Sequence, residues 1–194
     1  MSVATVVARP GITRRQQGFS LIEVSIVTAI VLLLAIIGIP AIGGYVVENK
    51  VPKVGEELVR FILQTKVNAP NGSTTPYAGI ETLNFANLVR ESSIFSVSGS
   101  DTSIRVMHGL GSGGEVTVAA QNAGEAFAIT MSNVNDAACP SIASVMQRVA
   151  DTVTVASEGE SAVVVKDGTT PYSALATETQ CSRGDANTFV FSVS

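Results

Sequence analysis

Charge is what this sequence has least of where it is most expected. From Val24 to Val47 there are 24 consecutive residues without an Asp, Glu, Lys or Arg. Over the whole chain only 14% of residues are charged against 46% hydrophobic, a balance that suits one folded domain plus a membrane segment better than two soluble domains. As a helix the uncharged run extends about 36 Å, against about 30 Å of bilayer hydrocarbon, so it is long enough to span. It exceeds the apolar stretch of about 7 to 15 residues found in ordinary secretory signals. The small residues of PAIGG, positions 40–44, offer a late cleavage site as the alternative.

Histidine and cysteine are also scarce. With His108 as the one histidine and Cys139 and Cys181 as the two cysteines, a zinc site lacks ligands and no nucleophile–base pair is spaced for hydrolysis. His108 reads as a strand or loop residue. Basic residues are outnumbered: the formal charge is −4, and without Arg9, Arg14 and Arg15 it falls to −7. An acidic body excludes general nucleic-acid binding through a basic face and leaves only local patches. The three arginines precede the apolar run with no acidic residue among them, which puts the N-terminus in the cytoplasm and the rest outside. There a disulfide between Cys139 and Cys181 forms and persists; free thiols or pairing with another chain are the alternatives.

What is present is strongly patterned. Residues 20 to 67 read as one helix that changes character halfway. Its first half is apolar all round. Beyond Tyr45, Val51, Val54, Leu58, Phe61 and Ile62 recur at three- and four-residue spacing among Lys50, Lys53, Glu56, Glu57 and Arg60, an amphipathic stripe that needs a partner surface. Gly38, Pro40, Gly43 and Gly44 predict a kink or local melting, and Pro52 a second bend. The turn-rich stretch 68–79 ends the helix. A short helix is expected at 81–92 and another at 141–149, where Ile142, Val145, Met146 and Val149 share a face behind Pro140. IFSVS, SIRVMH, EVTVAA, EAFAITM, AVVVK and TFVFSV read as strands of an antiparallel sheet. The class is α+β: a long N-terminal helix, half in membrane and half packed on a sheet.

Three short motifs carry little. GLGSGG (109–114) lacks the Lys-Ser or Lys-Thr of a phosphate-binding loop and opens no helix, so it reads as a flexible turn. Arg183-Gly184-Asp185 and Asn71-Gly72-Ser73 have the form of an integrin-binding tripeptide and a glycosylation acceptor, and both read as turns.

Glu23 is the anomaly, a carboxylate at the mouth of the apolar run. On insertion scales such a charge at the centre of a membrane helix costs roughly 2.5 to 3.5 kcal/mol. Snorkelling to the headgroups is one way to bear it. The arrangement RRQQG (14–18) followed by FSLIEVSIV (19–27) resembles the signature of type IV prepilins: a basic leader ending in Gly18, then Phe19, then a glutamate, Glu23, as the fifth residue counted from Phe19, then an uncharged helix in which Pro40 stands where many members carry proline. The signature covers residues 14 to about 40, and the layout beyond it, an amphipathic helix, connector, sheet and C-terminal cysteine pair, also looks like a pilin. The 176 residues after Gly18 and the long 139–181 segment look like the type IVb subclass, whereas Phe19 and the moderate leader look like type IVa. The reading leans to a type IVb-like head.

The resemblance implies a division into a leader (1–18), an apolar membrane and assembly helix (19–47), an amphipathic half (48–67) and a globular head (68–194) with a disulfide-bounded segment at 139–181. It implies a prepilin peptidase that cuts between Gly18 and Phe19 and methylates the new amine. N-methyl-Phe19 then supplies the cation Glu23 lacks: residues four apart share a helix face, so the pair meets within a subunit or between neighbours. The gain in low dielectric is offset by desolvation, so the pairing sets alignment more than stability. Pro40 and the glycines around it let the helix bend or stretch on passing from lipid to filament.

The implied function is structural. A major pilin, anchored in the bacterial inner membrane by one pass, polymerises with other copies through the pilus assembly machinery into a surface filament for adhesion, aggregation or motility. It uses no cofactor, metal, nucleic acid or catalytic residue. A minor pilin or type II secretion pseudopilin shares the signature. A membrane-tethered periplasmic binding or enzymatic domain is a rival of another class, for which the expected polar cluster is missing.

Overall fold

The computed structural model describes residues 18–194, in two compact units that divide after Pro40. Helix α1 runs from Leu21 to Asn68. It is helical through the Gly38–Gly44 stretch, without the local melting its residues suggested, and also through Pro52. A helix tolerates an interior proline where the one lost bond and the displaced carbonyl are accommodated locally.

In the second unit the amphipathic stripe is buried as its spacing requires: Val54, Leu58 and Ile62 are fully inaccessible, and Val51 and Phe61 nearly so. The surface they cover is one face of a seven-stranded, wholly antiparallel sheet. Its strands are β1 (Ser96–Ser98), β2 (Arg105–Met107), β3 (Glu115–Gln121), β4 (Ala126–Val134), β5 (Thr152–Ser157), β6 (Val163–Lys166) and β7 (Asn187–Val193). Their order is β1-β2-β3-β4-β7-β5-β6, so the last strand is inserted between β4 and β5. Register sets Phe127, Ile129 and Met131 of β4 opposite Val193, Phe191 and Phe189 of β7, one apolar row facing the helices. Phe61 of α1 meets Phe127 edge-on at 6.3 Å and Phe85 at 5.2 Å, and Phe85 meets Phe95 at 5.2 Å.

Helix α2 (Thr82–Val89) begins with a capping box, in which Glu81 N–H donates to Asn84 Oδ1 at 2.8 Å. Helix α3 (Cys139–Met146) carries proline in its first turn, where the missing N–H has no intrahelical role. It buries Ile142 and Met146 and presses Val145 onto α1: a Cβ on Gly55 would stand 2.7 Å from Val145 Cγ1, so glycine alone permits that approach. A fourth helix, α4 (Ala174–Glu178), precedes β7.

Strand β5 and helix α4 are additions to the sequence reading. For β5 the signal was there: TVTVAS alternates half-buried and buried along its six residues. The five-residue α4 is too short to show a period. Its start is marked only by Ser173, whose Oγ accepts from Ala176 N–H at 3.3 Å.

Candidate assembly segment and disulfide-bounded face

In the first unit nearly all the side chains from Phe19 to Ile39 are exposed, with Phe19 86% and Ile39 70% accessible. Helix α1 starts on Ser20, whose carbonyl accepts from the N–H groups of Glu23 and Val24 at 3.0 and 3.2 Å. The polar side chains of the apolar stretch fall into two kinds. Ser25 and Thr28 hide their hydroxyls by donating to the carbonyls of Leu21 and Val24, four residues back, at 2.9 and 2.5 Å. The Glu23 carboxylate has no ionic or hydrogen-bond partner among the described residues. It shares one face with Phe19, Val24, Val27 and Thr28 along a shallow groove. Gly18 is also open, with nothing within 4 Å of a Cβ built on it. The helix continues through Pro40. The leader arginines, Arg9, Arg14 and Arg15, lie outside the described residues.

At the far end of the chain Cys139 and Cys181 are bonded, with Cα atoms 6.2 Å apart. The bond ties the start of α3, in the β4–β5 connection, to the segment leading into β7. Beside it lies a polar hub that sequence reasoning missed. Asn187 is fully buried; its Nδ2 donates to the carbonyls of Val134 (3.0 Å) and Ser182 (2.8 Å), and its Oδ1 accepts from Ser182 N–H (2.8 Å) and lies 3.3 Å from Ser157 Oγ, whose proton goes to Gln180 O at 2.6 Å. One amide thus joins the ends of β4, β5 and β7.

The GLGSGG turn is pinned rather than flexible. Leu110 O accepts from Asn135 N–H at 2.8 Å, and Ser112 N–H donates to Asp185 Oδ2 at 2.8 Å. Asp185 Oδ1 accepts from Asn135 Nδ2 at 2.6 Å. The aspartate of the Arg-Gly-Asp sequence therefore serves as a latch between the turn and the end of β4. Gly111 approaches the Asn133 carbonyl so closely that a Cβ would overlap it, which explains one of the glycines. His108 is buried beneath the turn; burial pushes its pKa down, while the Ser132 carbonyl and Asp185 act the other way.

On the surface, Asp167 lies well below the usual carboxylate range, at about 2, because it accepts from Thr169 N–H and Thr170 N–H and from the Thr169 hydroxyl. For Asp151 burial acts to raise the pKa, but the Ser194 N–H and hydroxyl, with Lys66 and Lys166 nearby, bring it below its ordinary value. Among the described residues no group of three or more His, Cys, Asp or Glu is placed to hold a metal.

Two family models match the chain. One described as "Prokaryotic N-terminal methylation motif" covers residues 13–39, and one described as "PilS N terminal" covers residues 98–194. Among solved structures the chain is similar to the type IV b pilin from Salmonella typhi, at 21% identity and a TM-score of 0.49 over 72% of this chain and 94% of the other. No curated protein sequence matches it.

Proposed function

The chain belongs to the type IV pilin family, matched over residues 98–194 by the pilin domain and over 13–39 by the methylation motif, and on that premise we propose that it is a major pilin that polymerises into a type IV pilus for adhesion, aggregation or motility. The motif implies processing by a prepilin peptidase and assembly into pili. A pilin with an apolar N-terminal helix fits membrane anchoring before assembly and a filament afterwards. One observation carries the reading: a helix exposing almost nothing but apolar side chains from Phe19 to Ile39, with one carboxylate, Glu23, unpartnered among the described residues.

In this reading residues 1–18 are removed, 19–47 form the membrane and assembly helix, 48–67 the half that packs on the head, and 68–194 the head. Cleavage between Gly18 and Phe19 creates an amine one helical turn from Glu23. N-methyl-Phe19 pairs with Glu23 within the membrane-bound subunit, then with Glu23 of a neighbour in the filament. In both settings the surroundings are apolar, so a mismatched register strands a charge, and breaking a buried pair costs about 3 to 5 kcal/mol. Pro40 and its glycine neighbours give α1 the freedom to adjust as lipid is exchanged for helices. The type IVb-like head, with its long 139–181 segment, supports a major pilin over a minor pilin or pseudopilin.

N-terminal mass spectrometry of the mature chain is the test. Methylated Phe19 as first residue is expected; an intact Met1 or a start near Gly44 overturns the reading.

A further inference from the structure

Three cations meet on this acidic head in one groove. Lys66, near the C-terminal end of α1, Arg148, just after α3, and Lys166, at the end of β6, line it together with Ile62, Leu63 and Asp151. Of the nine lysines and arginines beyond the leader, three are therefore gathered around one acidic side chain. The balance stays positive even with a terminal carboxylate on Ser194 counted. Asp151 is occupied by the Ser194 N–H and hydroxyl at 2.7 and 2.9 Å. Lys166 Nζ donates to the carbonyls of Gln147 and Ala150. Lys66 and Arg148 are exposed, and neither has an ion-pair partner among the described residues.

Lys166 places this groove at one end of the β5–β6 hairpin, and the other end of that hairpin has the opposite sign. The β5–β6 turn presents Glu158 and Glu160, both exposed, and neither has an ion-pair partner among the described residues. The turn is held in shape: Glu158 N–H donates to Ala186 O at 2.9 Å, Glu160 N–H donates to Ser157 O at 3.0 Å, and Gly159 takes the positive φ of 83° that the bend requires. Six residues of β5 separate the two ends, about 20 Å at 3.3 Å per residue.

We infer that the basic groove formed by Lys66, Arg148 and Lys166 docks the acidic turn Glu158–Glu160 of a second copy of this chain. The groove lies at one end of the β5–β6 hairpin and the acidic turn at the other, too far apart to meet within a molecule, and pairing between copies makes a head-to-tail contact, which propagates instead of closing into a dimer. Charge complementarity selects another copy as the occupant: the head is acidic overall, yet carries its own matching basic receptor. Two pairs at an exposed rim orient subunits and reject misaligned ones more than they add affinity. The inference rests on the filament reading above and adds a second, head-level determinant of subunit alignment.

Charge exchange in the full-length chain, expressed with its peptidase and assembly machinery, tests it. K66E/R148E should lower fibre yield at least about tenfold, as should E158K/E160K, with Phe19 exposed normally in both. The combination of all four should restore fibres, a recovery that misfolding of either double variant does not allow. In wild-type fibres, carbodiimide coupling followed by peptide mass spectrometry should join Lys66 to Glu158 or Glu160. Wild-type fibre yield from K66E/R148E, no recovery in the combined variant, or coupling of Lys66 only to other proteins overturns the docking while leaving the pilin reading intact. Correctly processed wild-type chain that never forms fibres overturns both.

Discussion

The Nε2 of His108 lies 2.8 Å from the carbonyl oxygen of Ser132. That nitrogen must donate, so Nδ1 is the lone-pair side, and it accepts from Leu110 N–H at 3.0 Å. The buried ring is thereby committed to its neutral form. A second proton on Nδ1 would face the Leu110 N–H, donor against donor. Around it stand Asp185 on the adjoining segment, Lys50 of α1, whose Nζ donates to Gly109 O at 3.4 Å, and Glu115 at the start of β3.

A pH dependence follows. Because the folded pKa is lowered, the unfolded chain binds the proton more readily, and the stability that neutral His108 contributes is complete above its ordinary value of about 6.5 and lost as pH falls below it. Melting temperatures of detergent-solubilised chain should decline from pH 7 to pH 5, with a flatter profile in His108→Gln. Equal slopes in the two proteins would show that His108 does not titrate in this range.

Asn187→Ala should destabilise the head by about 1 to 3 kcal/mol, because Val134 O and both backbone groups of Ser182 lose a partner in a place water reaches poorly. Denaturant midpoints measure this. An unchanged midpoint would mean that the hub contributes nothing net.

Removing the disulfide with Cys139→Ser and Cys181→Ser should cost up to about 4 kcal/mol, the chain-entropy value for a loop of this length. In the mature wild-type chain neither cysteine should react with a thiol label until reductant is added.

Glu23→Ala should be inserted and cleaved normally yet give few fibres in electron micrographs, since the apolar helix survives and only the charge proposed to align it is gone. A normal yield would remove Glu23 from assembly.

Replacing the exposed Gly18 by a bulky residue should leave the leader uncut, visible as a slower band on gels. Normal processing would move the cleavage site elsewhere.

The sequence by itself determined the exposed apolar helix and the methylation motif at its start, because everything that defines them is local. Gly18, Phe19 and Glu23 lie within six residues, and a run as apolar as Val24 to Val47 stays apolar in any fold. The stripe from Val51 to Ile62 was equally legible, since burial follows directly from a helical period. Tertiary structure alone decided the rest. Insertion of β7 between β4 and β5 places Asn187 beside Val134, 53 residues earlier; Asp185 reaches Ser112 across 73 residues; and the Lys66–Arg148–Lys166 groove draws its cations from three separate elements. Such contacts leave no period or spacing in the chain, because what brings the partners together is strand order and register rather than nearness along the backbone.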